Sequence, residues 1–248
     1  MKKDVYAFKY GSPIKVSRIA NPRDSIKIRK TPLQSASIGR LYFALANFKN
    51  KICYVTGGAA KDKGGKWMPQ NSTIGYDVAE DTWSLAPSFK IARNAHSSCV
   101  VGSKLYIFGG EDAEGTLINT IESYDVEGPV KNEDELAWER INVDAVTPRI
   151  YSIVSPLSLS DVVIMGGDYK ANGGWHLYAD VVVYNDIART AERINVHAGL
   201  PIKSLSPGKL LDNGSVIALV RAPGNFLHLV SYSRESNELK TLEDFGNI

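Results

Sequence analysis

The chain has 248 residues, of which 44% are hydrophobic and 23% charged, and a net charge of +2 at pH 7. This composition is typical of a globular domain with a sizeable core, and so weak a positive charge does not favour nucleic acid or an anionic membrane surface as a partner. No apolar run has the length of a signal peptide or a membrane span, and only two cysteines are present, so we expect a cytoplasmic location.

The first thirty residues contain three strand-like runs, at residues 5–10, 14–19 and 25–29. They correspond to the second, third and fourth strands of the units that follow, because Asp24-Ser25-Ile26 stands one period before Asp81-Thr82-Trp83. This partial unit over residues 4–30 therefore lacks its first strand. Either the assembly closes imperfectly or the chain is a fragment of a longer protein, and we favour the second interpretation.

Four complete units follow, over about residues 40–87, 93–142, 149–196 and 203–242. Each contains short β-branched and aromatic runs separated by turn signals, a pattern that predicts one four-stranded antiparallel sheet per unit. In the second complete unit, residues 97–101 and 105–108 are joined by Gly102-Ser103, which is typical of a tight hairpin turn.

Four kinds of residue recur in the same order through these units, and the openers and doublets do so at intervals of 52 to 57 residues. A basic residue opens each unit, a Gly-Gly doublet ends the second strand, a tyrosine lies on the third strand and a tryptophan on the fourth. The basic openers are Arg40, Arg93, Arg149 and Lys203; the doublets are 57–58, 109–110 and 166–167; the aromatic markers are Tyr76, Tyr124, Tyr184, Trp83 and Trp138. The third complete unit has no tryptophan, and the fourth has Val220-Arg221 where a doublet is expected.

This repeated pattern resembles the Kelch-repeat family of β-propellers. The resemblance implies an all-β fold, with a single Kelch-type propeller over residues 1–248 that has about five four-stranded blades, the first lacking one strand. The glycines would supply positive φ and close approach where one blade meets the next. The aromatic residues would supply contact area between the sheets.

Strand order places two connections of each blade on one face: the connection after the second strand and the connection to the next blade. The openers Arg40, Arg93, Arg149 and Lys203 lie on this face, where a basic ring would bind the carboxylates of an acidic partner segment. The family resemblance implies the same use, since arginines at such positions of Kelch propellers often contact acidic motifs. The alternative is that each arginine pairs within its own blade.

Two second-to-third-strand connections on this face each contain a glycine pair followed by a tryptophan. We predict that Trp67 and Trp175 contact the partner together with their neighbours Lys66 and His176, because tryptophan is enriched among binding hot spots. The alternative is that each indole ring folds back onto a neighbouring blade and that the lysines of the first connection form a solvated loop.

No catalytic constellation is visible. The four histidines lie in different units without the spacing of a metal site, so we expect no metal and no cofactor. The chain is therefore predicted to be a protein-binding module and not an enzyme, and the resemblance implies a ubiquitin-ligase adaptor or a cytoskeletal scaffold. The alternative is a carbohydrate-active or metal-dependent enzyme of the Kelch type.

Overall fold

The structure, a computed structural model, describes residues 5–8, 16–19, 40–128, 137–144, 146–196 and 199–247. These residues form 23 β-strands and one short 3-10 helix, Pro223–Asn225. Within the described ranges there is no helix with the length and apolar character needed to cross a membrane.

The strands form one N-terminal hairpin and four blades, which we number I to IV in chain order. The hairpin consists of β1 (Val5–Phe8) and β2 (Val16–Ile19). Blade I contains β3 (Ala44–Phe48), β4 (Ile52–Thr56), β5 (Ala59–Lys61), β6 (Trp67–Pro69), β7 (Thr73–Asp77) and β8 (Thr82–Ala86). Blade II contains β9 (Ser97–Val101), β10 (Lys104–Phe108), β11 (Ile121–Asp125) and β12 (Trp138–Ile141).

Blades III and IV complete the described chain. Blade III contains β13 (Ile153–Pro156), β14 (Asp161–Met165), β15 (Asp168–Ala171), β16 (Gly174–Leu177), β17 (Val181–Asn185) and β18 (Thr190–Ile194). Blade IV contains β19 (Lys203–Ser204), β20 (Lys209–Leu210), β21 (Ser215–Arg221), β22 (Phe226–Ser233) and β23 (Glu238–Asn247). In blades I and III, the pairs β5–β6 and β15–β16 form separate two-stranded sheets.

The predicted all-β propeller is confirmed. In each blade the main strands pair antiparallel in chain order, and the inner strands β3, β9, β13 and β20 pack against one another in succession. The four blades correspond to the four predicted complete units. Of the predicted partial unit, the described residues form the antiparallel pair β1–β2, and the predicted run at 25–29 lies outside the described ranges.

Apolar clusters fill the spaces between consecutive blades. Between blades I and II, Trp138 is 1% exposed, stacks on Tyr124 and contacts Phe89 edge-on. Its indole N–H donates to the carbonyl oxygen of Pro87 at 2.8 Å, so the polar edge of the buried ring is satisfied. The predicted role of the fourth-strand tryptophan in packing is therefore confirmed at Trp138.

The Gly-Gly doublets bond each blade to the next. All six glycines have positive φ, and a Cβ on Gly109 would overlap the carbonyl oxygen of Arg149 in the following blade segment. The second glycine of each doublet donates its N–H across the blade boundary: Gly58 to Arg93 O at 3.0 Å, Gly110 to Arg149 O at 2.9 Å, and Gly167 to Ile202 O at 2.7 Å. Both backbone conformation and space therefore require glycine, as the sequence predicts.

The structure shows features that the repeat pattern does not predict. The inner strand of blade I begins only at Ala44, because Tyr42 has a φ of 56°, which an extended strand cannot accommodate. In blade IV, where the doublet is missing, β21 continues through Val220 and Arg221 and reaches β22 through the short 3-10 helix. Among the described residues of blade IV, no separate hairpin like β5–β6 or β15–β16 follows β21.

Candidate partner-binding surface

The segments that lead into the inner strands meet at one end of the propeller axis. We call this end the mouth and define it by residues 40–43, 93–96, 149–152 and 203–206. Backbone hydrogen bonds connect the segments from blade to blade: Ala95 N–H to Tyr42 O at 2.8 Å, Tyr151 N–H to Ala95 O at 2.9 Å, and Ser204 N–H to Tyr151 O at 2.7 Å. The mouth is therefore a fixed backbone arrangement and not a set of independent loops.

Three mouth residues other than glycine have a left-handed backbone conformation. Tyr42, Ala95 and Tyr151 have φ values of 56°, 55° and 54°. Such conformations cost about 1–3 kcal/mol each and persist where the surroundings enforce them, which is common at binding sites. The two tyrosine rings lie edge to face with centroids 6.1 Å apart, and Tyr42 is 54% exposed. The mouth thus combines a strained backbone with an accessible aromatic side chain at Tyr42.

A cavity of about 240 Å³ opens between these segments, and we call it the axial cavity. Its lining combines an aromatic and apolar rim with hydroxyl groups. The rim includes Tyr42, Phe43, Tyr151 and Leu205, and the hydroxyls belong to Ser97, Ser98, Ser152, Ser204 and Ser206. His96 also lines the cavity, whereas none of its lining residues is an aspartate, glutamate, lysine or arginine.

The arginine openers belong to the mouth segments, but their side chains turn into the blades instead of surrounding the axial cavity. Arg93 and Arg149 are 0% and 1% exposed. The guanidinium group of Arg93 donates to Gly109 O at 2.9 Å and to Glu122 Oε1 at 2.5 Å. Burial lowers the pKa of Arg93 to about 10, although the charge of Glu122 opposes this shift, so the side chain remains a cation at neutral pH.

The other two arginine openers follow the same pattern. Arg149 binds both carboxylate oxygens of Asp180, at 2.7 and 3.0 Å, and Gly166 O at 2.9 Å. The half-buried Arg40 donates to Gly57 O at 3.1 Å and to a serine hydroxyl at 2.7 Å. Each arginine thus holds the first glycine of its own doublet. This arrangement is the within-blade alternative, and it corrects the expected ring of exposed guanidinium groups.

Lys203, the opener of the fourth complete unit, makes a different contact. Its Nζ atom lies 3.2 Å from Asp168 Oδ2 of blade III and 6.0 Å from the ring centroid of Tyr151. The lysine therefore links blade IV to the start of β15 and stays one-third exposed beside the mouth. Lys203 is therefore the opener that a partner at the mouth could contact.

The two glycine–tryptophan connections form β-hairpins that stand beside the mouth. The start of β5 bonds back to the mouth through Ala59 and Leu41, and the start of β15 does so through Asp168 and Ile150. The turn of β15–β16 has positive φ at both central residues, as a tight primed turn requires. The two connections are thus short β-hairpin arms.

Each arm presents a partly exposed tryptophan with a lysine over its ring. Trp67 is 38% and Trp175 is 51% exposed. The Nζ atom of Lys61 lies 5.4 Å from the Trp67 ring centroid, and that of Lys170 lies 4.8 Å from the Trp175 centroid. The predicted Lys66 and His176 are exposed on the same two hairpins, β5–β6 and β15–β16. The structure thus brings four predicted residues to the mouth end, and their contact with a partner stays a prediction.

The sequence did not indicate that Tyr42 and Tyr151 belong to a site, and it did not indicate the axial cavity. They stand two residues after the openers, so the repeat period locates them. Nothing in the sequence, however, indicates that a tyrosine there adopts positive φ. The serines of the cavity lie in ordinary strand-like runs and carry no motif.

The described residues contain no group of three histidine, cysteine or acidic side chains arranged to hold a metal ion. Cys53 and Cys99 are both free thiols. The buried His96 places Nε2 2.8 Å from Thr56 Oγ1, and burial together with the charge of Arg93 lowers its pKa to about 3. His96 is therefore neutral at physiological pH.

Comparison with known proteins identifies the repeat. The family model of the Kelch motif matches residues 92–133, which include β9 to β11 of blade II. Alpha-scruin from Limulus polyphemus is 36% identical over 90 residues, covering 36% of this chain and 10% of that protein. Kelch-like protein 4 from Homo sapiens is 42% identical over 52 residues, covering 21% of this chain and 7% of that protein.

An F-box/kelch-repeat protein from Arabidopsis thaliana is 33% identical over 89 residues, covering 35% of this chain and 24% of that protein. The matches thus span a quarter or less of the length of each of these relatives. The matched motif, the shared repeats and the stack of antiparallel blades agree with one another. The chain thus contains a Kelch motif within a β-propeller of antiparallel blades, and over part of its length it is similar to Kelch-repeat proteins.

Proposed function

We propose that this propeller binds a partner protein at its mouth end, through the β5–β6 and β15–β16 hairpins and the rim of the axial cavity. The observation that carries the proposal is the pair of hairpins, each of which presents a tryptophan that is more than one-third exposed. Hot spots of protein interfaces are enriched in tryptophan and tyrosine. The Kelch repeats and the Kelch-repeat relatives also support an interaction module.

An acidic partner segment fits this surface through lysines instead of the arginine openers. Lys61, Lys63 and Lys66 are exposed on the first hairpin, and Lys170 is 45% exposed on the second. Carboxylates beside the tryptophans would meet these ammonium groups at the rim, where exposed charges speed association more than they add affinity. The acidic segment therefore supplies orientation, and an apolar or aromatic anchor supplies most of the affinity.

We propose a binding role without catalysis, because the described residues that line the axial cavity supply aromatic side chains and hydroxyls but no arrangement in acid, base and nucleophile roles. The adaptor and scaffold roles implied by the Kelch resemblance depend on the partner, which these repeats do not identify. A cytoplasmic location and the lack of a nucleic acid or membrane partner likewise stay predictions.

The proposal is tested by comparing two double variants of the chain in quantitative affinity capture. Trp67→Ala with Trp175→Ala removes both hairpin anchors. Leu159→Ala with Ile187→Ala is the matched control, because these side chains are 89% and 82% exposed and lie on turns at the opposite end of blade III. Both double variants should melt close to the parent, since none of the four side chains is buried.

Partners retained by the parent and the control should be lost from the tryptophan variant. With the purified partner, we expect the dissociation constant to rise by about thirtyfold or more, the change that corresponds to a hot spot of about 2 kcal/mol. A partner that binds the tryptophan variant normally, or that the control variant loses, would place the interface elsewhere.

A further inference from the structure

The hairpin β15–β16 has one occupied edge and one open edge. At the occupied edge, Asp168 exchanges two backbone hydrogen bonds with Ile150 of the mouth, in which the N–H of Ile150 donates at 3.0 Å and the N–H of Asp168 at 2.8 Å. At the other edge, β16 pairs with no strand except β15 among the described residues. A strand edge without a partner is a template for pairing with another chain.

The register of the hairpin shows which groups of β16 lie along the open edge. Asp168, whose N–H and C=O both face Ile150, is paired with Leu177. Bonded and non-bonded pairs alternate in an antiparallel ladder, so the N–H and C=O of Leu177, and of Trp175 two residues earlier, point away from β15. Within the described part of the chain, no backbone hydrogen bond uses these four groups. The open edge is therefore a row of two donors and two acceptors.

The hairpin of blade I shows how such an edge is blocked. Its residue Ala59 exchanges two backbone hydrogen bonds with Leu41 of the mouth and is paired with Pro69 on β6. Pro69 therefore occupies the position on β6 that Leu177 occupies on β16. Proline has no N–H and prevents pairing along an edge, whereas leucine leaves the donor in place. Of the two arms, the arm of blade III thus keeps a complete edge.

The open edge is accessible and continuous with the proposed partner surface, because Trp175 belongs to both and is 51% exposed. We propose that β16 binds an extended segment of the partner protein, which adds to the hairpin as a third strand through the backbone groups of Trp175 and Leu177. The segment must donate as well as accept, so it carries no proline at the bonding positions. A β-branched or aromatic residue beside the Trp175 ring adds cross-strand packing. The inference rests on the proposed function for the source of this segment.

The test titrates the intact, isotope-labelled chain with the peptide acetyl-Glu-Thr-Val-Thr-Val-Glu-amide and follows the backbone amides by NMR. We expect the largest downfield shifts at Trp175 and Leu177, which gain hydrogen bonds, and small shifts at His176, whose N–H faces β15. This alternation is the signature of an added strand, because contact through side chains alone does not follow the backbone parity. Comparable shifts at all three amides would overturn the inference, as would the absence of shifts in β16.

Two variants of one residue test the edge itself. Leu177→Pro places on β16 the residue that β6 carries at Pro69, so the hairpin should tolerate it. Because this variant lacks a donor of the open edge and leaves an acceptor of the peptide unpaired, we expect binding to weaken by about tenfold or more. Leu177→Ala keeps the donor and should bind within about twofold of the parent. Equal losses in the two variants, or normal binding to Leu177→Pro, would contradict a role of the edge.

The remaining outcomes separate this inference from its neighbours. If Leu177→Pro does not fold, the amide pattern of the parent still decides. Sedimentation of the parent tests a second copy of the chain as occupant, and a dimer that Leu177→Pro abolishes would overturn the assignment to a partner protein. The Trp67→Ala, Trp175→Ala double variant keeps every backbone group of β16, so its peptide-induced amide pattern should persist. Failure of the proposed function therefore remains distinguishable from failure of the edge.

Discussion

The arginine openers and the tryptophan hairpins occupy the same end of the propeller but differ in almost every physical respect. Arg93 and Arg149 are charged, buried and bonded within their own blades. Trp67 and Trp175 are apolar and partly exposed on projecting arms. The openers recur in every complete unit, whereas the arms form in blades I and III. The recurring arginines of the first three units thus stabilise their own blades, whereas the two arm tryptophans remain partly exposed and are the side chains that we propose for recognition.

The strongest test of this comparison removes the charge that compensates a buried opener. In Glu122→Gln, Arg93 keeps its cation in a site where both side chains are 0% exposed, so we expect the free energy of unfolding to fall by about 3–5 kcal/mol. Denaturant titration measures it. The control is Glu127→Gln, in an ion pair with Lys49 that is at least half exposed, where a loss under about 1 kcal/mol is expected. A similar loss of unfolding free energy in the two variants would mean that water solvates the guanidinium group of Arg93.

A second test compares a doublet glycine with a hairpin glycine. Gly109 and Gly65 both have positive φ, but a Cβ on Gly109 would overlap Arg149 O, whereas nothing lies within 4 Å of a Cβ on Gly65. Gly65→Ala should lower the free energy of unfolding by about 1–2 kcal/mol, because alanine is unfavourable at positive φ. Gly109→Ala should lower the free energy of unfolding by about 2–5 kcal/mol, because the steric overlap with Arg149 adds to the backbone strain. Equal melting temperatures for both variants would contradict the close blade contact at Gly109.

The third and smallest effect concerns His96, a buried residue of the mouth three positions after the opener Arg93. Its folded-state pKa of about 3 is below the ordinary value of 6.5, so between these values the unfolded chain binds a proton that the folded chain does not. Stability therefore falls as the pH drops through this window, by on the order of 2 kcal/mol from pH 7 to pH 5. Denaturant titrations at both pH values should show less of this loss in His96→Gln than in the parent. An equal loss would mean that other groups account for it.

The features predictable from sequence are those set by residues close along the chain. The doublets and Trp138 follow from the repeat, and strands such as Ser97–Val101 follow from local composition and turns. The burial of Arg93 depends on Glu122, 29 residues away, and no local pattern indicates that pairing. The axial cavity is less predictable still, because the conformation of Tyr42 is fixed by a bond from Ala95 in the next blade.

The direction of the bonds between blades has a consequence for cooperativity. At the mouth the later blade donates, from Ala95 to Tyr42 O, whereas at the doublet the earlier blade donates, from Gly58 to Arg93 O. Two neighbours thus complete each other's backbone, and removing one blade would leave both donors and acceptors without partners on the blades that remain. Many solenoid repeats unfold piecewise because each contact adds independently. Blades joined by reciprocal bonds should instead lose their structure together, so the propeller behaves as one cooperative unit.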